Sequence, residues 1–341
     1  MKNLPVTIVF NQPGDAQSSV WGNESDNDTY DCVVEIKQVL KSGGYKVSEL
    51  PIRRDEMSGI KKIKHGIIFN LVEWTGKDMK YTKKAMDLIE KTGLPYTGSD
   101  FKGLFLSTDK VLMKNEFIRL GIPTPKYQIF KTENDPVRPD FNYPVIVKPA
   151  YEHCGIGITQ ESVLENTKDL KRKVTEFLNF YQQPILAEEY IEGREIAVTV
   201  LEDKLRPRVL APVEVAFTGC GDGRPIYTYE TKWQDKGSEF NGVRVSLAQL
   251  PERVGKRIDS IAKRVYMHLG GRDYPRLDIR LRGEEIFVLE VNNNPEIDFT
   301  FQGSLRVGVE SAGMSYIQFL EHVMRNVIYR FSVAGYARAE V

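Results

Sequence analysis

A chain of 341 residues, 41% hydrophobic and 28% charged, is long enough to bury a sizeable core and to divide into two or three domains. Lysine plus arginine and aspartate plus glutamate balance at 47 each, so no bulk positive field exists to hold a polyanion, and nucleic acid is not an expected partner. The opening apolar run stops at Asn11-Gln12-Pro13-Gly14 and no later run reaches membrane length, which predicts neither signal peptide nor membrane span, while the widely spaced Cys32, Cys154 and Cys220 fit a reducing cytoplasm rather than disulfides or zinc.

Residues 6–10 read as a strand. Residues 29–42 carry Cys32, Val33, Ile36, Val39 and Leu40 on one helical stripe, closed by Gly43-Gly44. A strand over 45–50, a buried strand over 65–72, a helix over 78–91 and a short extended piece over 95–97 before Gly98 complete a doubly wound α/β unit. The pattern then changes, with a helix predicted over 109–120, ending at Gly121, and a domain boundary near Ser107. A strand over 143–149 and a helix over 167–180 follow, then two runs, 185–190 and 195–202, expected to pair around Glu192-Gly193. A helix over 251–269, a strongly alternating hairpin and a helix over 316–329 close an α+β remainder. The expected domains are 1–107, 108–187 and 188–341.

Chemistry concentrates in the hairpin. Alternation puts Leu277, Ile279 and Leu281 on one face and Arg276, Asp278 and Arg280 on the other. After a turn at Gly283 it groups Glu290 with Asn292, opposite Phe287, Leu289 and Val291. A three-residue turn over 283–285 would pair Arg282 with Ile286 and set Asp278 across from Glu290. Opposed like charges destabilise a sheet unless a cation sits between them, and Asp, Glu and Asn oxygens suit magnesium. An exposed hairpin with its polar residues outward gives the same alternation.

Two further segments suit a nucleotide. The strand at 143–149 ends in Lys148-Pro149 and leads to a loop with Gly155 and Gly157, where a lysine reaches phosphate oxygens and glycines let backbone N–H groups approach them. The run at 185–198 sets Glu188, Glu189, Glu192 and Glu195 beside an apolar strand, where carboxylates can accept from an adenine amino group and ribose hydroxyls. Neither a GxxxxGK[ST] run nor a GxGxxG between strand and helix is present. The glycine-rich stretch from Gly219 to Gly223 runs into Arg224-Pro225 and reads as a flexible loop.

Taken in order, LPYTGS at 94–99, Asp109-Lys110, YPVIVKP at 143–149, Glu188 to Glu195, Lys232, Arg276-Leu277-Asp278 and LEVNNNP at 289–295 resemble the ATP-grasp superfamily, specifically its D-alanyl-D-alanine ligase branch. The resemblance implies an ATP-grasp fold of mixed α/β and α+β class, an N-terminal doubly wound domain followed by two α+β subdomains that clasp ATP. It implies that Lys110 and Lys148 bind the ATP phosphates, Glu188 and Ile191 hold adenine, Glu195 contacts the ribose, and Lys232 approaches the terminal phosphate. It also implies that Asp278, Glu290 and Asn292 bind two magnesium ions, with manganese as a substitute, and that Arg276 stabilises the oxyanion of a tetrahedral intermediate. The implied reaction is phosphoryl transfer from ATP to a substrate carboxylate, then attack of an amine on the acyl phosphate. Relatives of this architecture are often dimers, which extends to a homodimer here.

The substrate side departs from that pattern. The first loop offers only Asp15 as a carboxylate, Cys154 stands where the branch commonly has serine, and Trp233 follows Lys232 in place of tyrosine. Glu296, Asp298 and Phe301 replace the small residues expected after the metal strand, and Glu296 and Asp298 would favour a cationic or neutral amine over an acceptor bearing a carboxylate. The expectation is a carboxylate–amine ligase acting on amino-acid-like substrates other than two D-alanines. A genuine D-alanine–D-alanine ligase is one alternative, and a protein that closes over ATP without turnover is another, against which retention of Arg276 and every metal ligand argues.

Overall fold

The computed structural model describes residues 1–15, 22–74, 76–153, 155–217, 224–226, 243–297, 299 and 303–339. In the first layer, β1 (Val6–Asn11), α1 (Gly22–Ser42), β2 (Val47–Ile52), β3 (Ile67–Leu71) and α2 (Met79–Lys91) follow the expected order. The three strands form a parallel sheet ordered β2-β1-β3, as strands separated by crossovers should. Val33, Ile36 and Leu40 of the predicted α1 stripe are fully buried against this sheet. The extended piece before Gly98 makes a single parallel bridge from Tyr96 to Ile68.

The predicted helix over 109–120 is only the second of a pair. α3 (Phe101–Thr108) precedes α4 (Lys110–Arg119), and Asp109, with extended backbone, ends one and starts the other. Its carboxylate accepts from the N–H groups of Val111 and Leu112, and Asp100 caps α3 through Gly103 N–H. The expected division at 107 thus falls in the last turn of α3.

β4 (Tyr127–Phe130), β5 (Val145–Pro149), β6 (Val163–Leu164), α5 (Thr167–Tyr181) and β7 (Ile185–Glu189) form a second, antiparallel sheet ordered β4-β7-β5-β6, with α5 packed on it. A third sheet contains β8 (Arg194–Asp203), β9 (Arg206–Val209), β10 (Val213–Phe217), β11 (Val243–Leu247), β12 (Arg276–Arg282) and β13 (Glu285–Asn292), and α6 (Glu252–His268) covers it. The expected pairing of 185–190 with 195–202 does not occur, because β7 and β8 lie in different sheets. Gly193 carries the chain between them at φ +148, and a Cβ there would overlap Leu281 O. The expected division after 187 also falls inside β7.

The chain ends with α7 (Ser304–Ser311) and α8 (Tyr316–Ala339). Phe319, Leu320, Val323 and Val327 of α8 share one core with Val6, Ile8 and Val33, so the C-terminal helix closes the core of the first sheet rather than that of the third. No helix among the described residues is long and apolar enough to cross a membrane.

Candidate active site

Only Gly283 and Glu284 separate β12 from β13, with Gly283 at φ +61, so the expected three-residue turn is not formed and Arg282 pairs with Glu285 rather than Ile286. A two-residue turn alone would carry Glu290 across from Leu277, onto the face where Ile286 and Val288 enter the core. A bulge opposite Asp278 and Ile279 absorbs Leu289 instead, and pairing resumes as Asp278 with Glu290, Leu277 with Val291 and Arg276 with Asn292. The expected opposition of the two carboxylates is present by a different route. The bulge also corrects the predicted faces: Ile286, Val288 and Val291 join the core, whereas Phe287 lies across from Arg280.

Arg276 grips Asp278 with two parallel bonds, Nε to Oδ1 at 2.8 Å and Nη2 to Oδ2 at 2.9 Å. Burial opposes the Arg276 charge, but Asp278, Glu290 and Glu296 outweigh it and hold the guanidinium protonated. Asn292 Oδ1 accepts from Asn294 N–H at 3.0 Å. Among the described residues no group of three or more His, Cys, Asp or Glu side chains is placed to hold a metal, so the expected donor set consists of two carboxylates and one amide.

Three lysines converge on this hairpin. Lys110, first residue of α4, lies 3.9 Å from Glu290 Oε2 and donates to the carbonyl of Glu152. Lys148 on β5 shares a sheet face with Glu188, because Ile146 pairs with Glu188, and its ammonium is 2.6 Å from Glu188 Oε1. Lys114, one turn along α4 from Lys110, is fully buried, sits 2.7 Å from Glu188 Oε2 and donates to Thr124 Oγ1 at 2.7 Å. Both Glu188 oxygens therefore face a buried ammonium, Oε1 that of Lys148 and Oε2 that of Lys114.

The ionisation of these groups follows from their contacts. Burial pushes Glu188 up, but Lys114 and Lys148 outweigh it and hold its carboxyl below the usual range. For Glu290 burial likewise works against the charge, and Lys110 and Lys148 prevail, again lowering it. The lysines split: burial dominates at Lys110 and Lys114 and lowers them, while at Lys148 the pull of Glu188, Glu290 and Asp278 exceeds burial and raises it.

Glu195, on β8, pairs in register with Arg280 of β12 and makes a 2.7 Å ion pair with it. Burial pushes Glu195 up, Arg280 opposes this, and Asp278 and Glu290 add to the rise. Ile191 is buried at the strand exit. Gly155 and Gly157 have φ of +75 and +78, in a pair of turns where a Cβ on Gly157 would come within 2.7 Å of Tyr181 Oη.

Other expected residues are held elsewhere. Glu189 points to the opposite sheet face from Glu188, as neighbouring strand residues must, and accepts from Asn142 N–H at 3.0 Å. Asp15 accepts from Arg54 N–H at 2.8 Å and lies 3.7 and 3.8 Å from the Arg53 and Arg54 guanidinium groups, so its carboxylate is committed to arginines rather than open to a substrate ammonium. Glu296 accepts from the Cys32 thiol at 3.9 Å and adds its field to that on Arg276. Lys232, Trp233, Cys154, Asp298 and Phe301 lie outside the described residues.

Lys114 and Arg280 were not expected in the site. Lys114 stands four residues after Lys110 and so on the same helical face, and Arg280 continues the Arg276, Asp278 alternation; both signals were present in the sequence.

The chain matches the family described as "D-ala D-ala ligase C-terminus" over residues 117–325, more than half its length. It is 29% identical over 291 residues to a D-alanine–D-alanine ligase of Desulforudis audaxviator (strain MP104C), covering 84% of this chain and 89% of that protein. A D-alanine–D-alanine ligase from Bacillus anthracis superposes with a TM-score of 0.74 at 18% identity, covering 97% of this chain and 99% of that one. The VanG D-Ala:D-Ser ligase from Enterococcus faecalis gives 0.72 at 18%, covering 95% and 99%. At such identities the superpositions speak to the fold, which is ATP-grasp. The family match and the curated relative carry membership: this chain belongs to the D-Ala–D-Ala ligase family and is an ADP-forming ATP-grasp ligase.

Proposed function

We propose that this chain joins an amino-acid-like carboxylate to an amine through an acyl phosphate, at the site formed by Lys110, Lys148, Glu188, Glu195 and the Arg276–Asn292 hairpin. The observation that carries the reading is the direct opposition of Asp278 and Glu290, two carboxylates that a regular hairpin of this turn length would not bring together, beneath the Lys110 and Lys148 ammonium groups.

The residues fit a nucleotide. Adenine is assigned to the buried Glu188 and Ile191, and the ribose to Glu195, which Arg280 pairs at 2.7 Å. Lys110 and Lys148 meet the phosphates, and Lys232 would approach the terminal one. The oxygens of Asp278, Glu290 and Asn292 suit magnesium, which when bound would neutralise phosphate charge. The γ-phosphoryl group passes to a substrate carboxylate oxygen as ADP leaves. The amine then attacks the acyl carbon, Arg276 meets the oxyanion, and loss of phosphate and a proton leaves the amide.

The substrates we propose differ from two D-alanines and work in the cytoplasm. Asp15 is tied to Arg53 and Arg54, and Glu296 carries a charge close to Arg276, which disfavours an acceptor carboxylate there. The curated relative's name favours the second reading, D-alanine–D-alanine ligation. Phosphate release with ATP and magnesium, scanned across D- and L-amino acids and simple amines with products weighed by mass spectrometry, separates the two. A product other than dialanine is expected, and dialanine as the main product overturns the preferred reading.

A further inference from the structure

We propose that Arg280 is a positioning residue for nucleotide recognition, locking Glu195 in place to receive the ribose hydroxyls; this rests on the nucleotide site proposed above. Arg280 follows Asp278 on the site face of β12 and pairs in register with Glu195 on β8. It is 4% exposed, a position where an apolar side chain would satisfy packing alone. Burying a guanidinium costs several kcal/mol unless every donor direction is used, so its partners indicate what it is there to hold.

Those partners surround Glu195. Nη2 lies 2.7 Å from Glu195 Oε2 and also donates to Pro225 O, and Nη1 donates to Gly193 O at 3.1 Å. The plane also lies 5.7 Å from the Tyr190 ring centre and 5.9 Å from that of Phe217. The fork thus joins the carboxylate to the crossing between the second and third sheets, at Tyr190 and Gly193, and to the segment at Pro225. A lysine, as a point charge, cannot serve a carboxylate and two carbonyls in such fixed directions. With Arg280 in place Glu195 presents its remaining lone pairs in one orientation. Two ribose hydroxyls can then be required together, and a nucleotide lacking one leaves a buried acceptor unpaired.

The test needs no amino-acid substrate. Isothermal titration of the full chain with ADP, 2′-deoxy-ADP and 3′-deoxy-ADP, in magnesium, gives a discrimination ratio for the native protein, Arg280→Met, Arg280→Lys, Glu195→Gln and the Glu195→Gln/Arg280→Met double variant. The native protein should prefer ADP over at least one deoxy analogue by about tenfold or more. That preference should fall to within about twofold of unity in both Arg280→Met and Glu195→Gln, the double variant being no worse than either, with Arg280→Lys intermediate. Equal weakening of all three nucleotides in Arg280→Met, with the ratio kept, would assign Arg280 a purely structural role and overturn the proposal. If Glu195→Gln loses the ratio and Arg280→Met keeps it, Arg280 fails while the ribose reading stands; if Glu195→Gln keeps it, both fail. Should Arg280→Met not fold, Arg280→Lys decides, an unchanged ratio again refuting the proposal.

Discussion

Asp278 and Glu290 face each other because two irregularities cancel: the turn is one residue shorter than the register needs, and the bulge at Leu289 supplies the missing step. Arg276 grips Asp278 with two hydrogen bonds, and Lys110 and Lys148 hold the Glu290 carboxyl below its ordinary value. Glu290→Gln keeps the shape but removes one of the opposed charges and turns one acceptor oxygen into a donor amide. ADP formation should drop by about 10²–10³-fold, the scale for losing one preorganised electrostatic group at a reacting centre, while the circular dichroism spectrum stays native. Turnover within about twofold of native would place the chemistry elsewhere.

Gly98 predicts a second route into the same site. It has φ +81, and a Cβ there would come within 2.6 Å of Asn294 Nδ2, whose Oδ1 accepts from Ser99 N–H at 2.9 Å. Asn294 in turn donates its backbone N–H to Asn292. Gly98→Ala should therefore displace Asn294 and, through it, Asn292, and cut ADP formation by about tenfold or more at saturating ATP. A kcat close to native, measured on folded variant, would show that the Gly98 loop and the hairpin are not coupled.

How far the sequence foretold this site depends on what each residue's place rests on. Alternation sufficed for Arg276, Asp278 and Arg280, because a strand with one buried face can only be phased one way. It misassigned Phe287, because a bulge leaves no mark in the alternation until the pairing is known. Motif order located Lys110 and Lys148, but not the capture of Glu188 between Lys148 and Lys114, which depends on α4 packing beside the second sheet. The helix α3 has no counterpart in the sequence reading, which passes from the extended piece at 95–97 to the helix at 109, and the capping role of Asp100 appears only with Gly103 in place. Asp15 looked available because Arg53 and Arg54 are about forty positions away in the chain, which spacing cannot foresee.

The Lys114, Glu188, Lys148 cluster predicts an acid-sensitive core. Two ammonium groups hold the folded Glu188 below its ordinary value of 4.5, so its contribution to stability is present above that value and is lost as pH falls through the lower, folded one. Glu188→Gln leaves two buried lysines without their common partner. Its melting temperature should fall at neutral pH, by the equivalent of about 3 kcal/mol or more, and should decline less than the native protein's between pH 5 and the acid limit. Native and variant melting curves that run parallel across that range would mean that Glu188 is not the group responsible.

Arg330 joins the C-terminal helix α8 to the body of the site. Its Nη1 lies 3.1 Å from both Glu202 oxygens and 2.9 Å from Asp273 Oδ1, and Asp273 Oδ2 accepts from Gly98 N–H at 2.6 Å. Tyr266 Oη donates to Glu202 at 2.6 Å, so two buried carboxylates depend on one guanidinium for neutralisation. Arg330→Met strands both and should cost about 3–5 kcal/mol, read as a large fall in the thermal midpoint. Burial already pushes Asp273 up, against the opposing pull of Arg330, so the variant should take up a proton there on folding and lose stability further as pH rises. Adding Asp273→Asn removes one stranded charge and should recover part of the loss, a sign that charge rather than packing carries it. A double variant no more stable than Arg330→Met would assign the loss to packing of α8 on the first sheet instead.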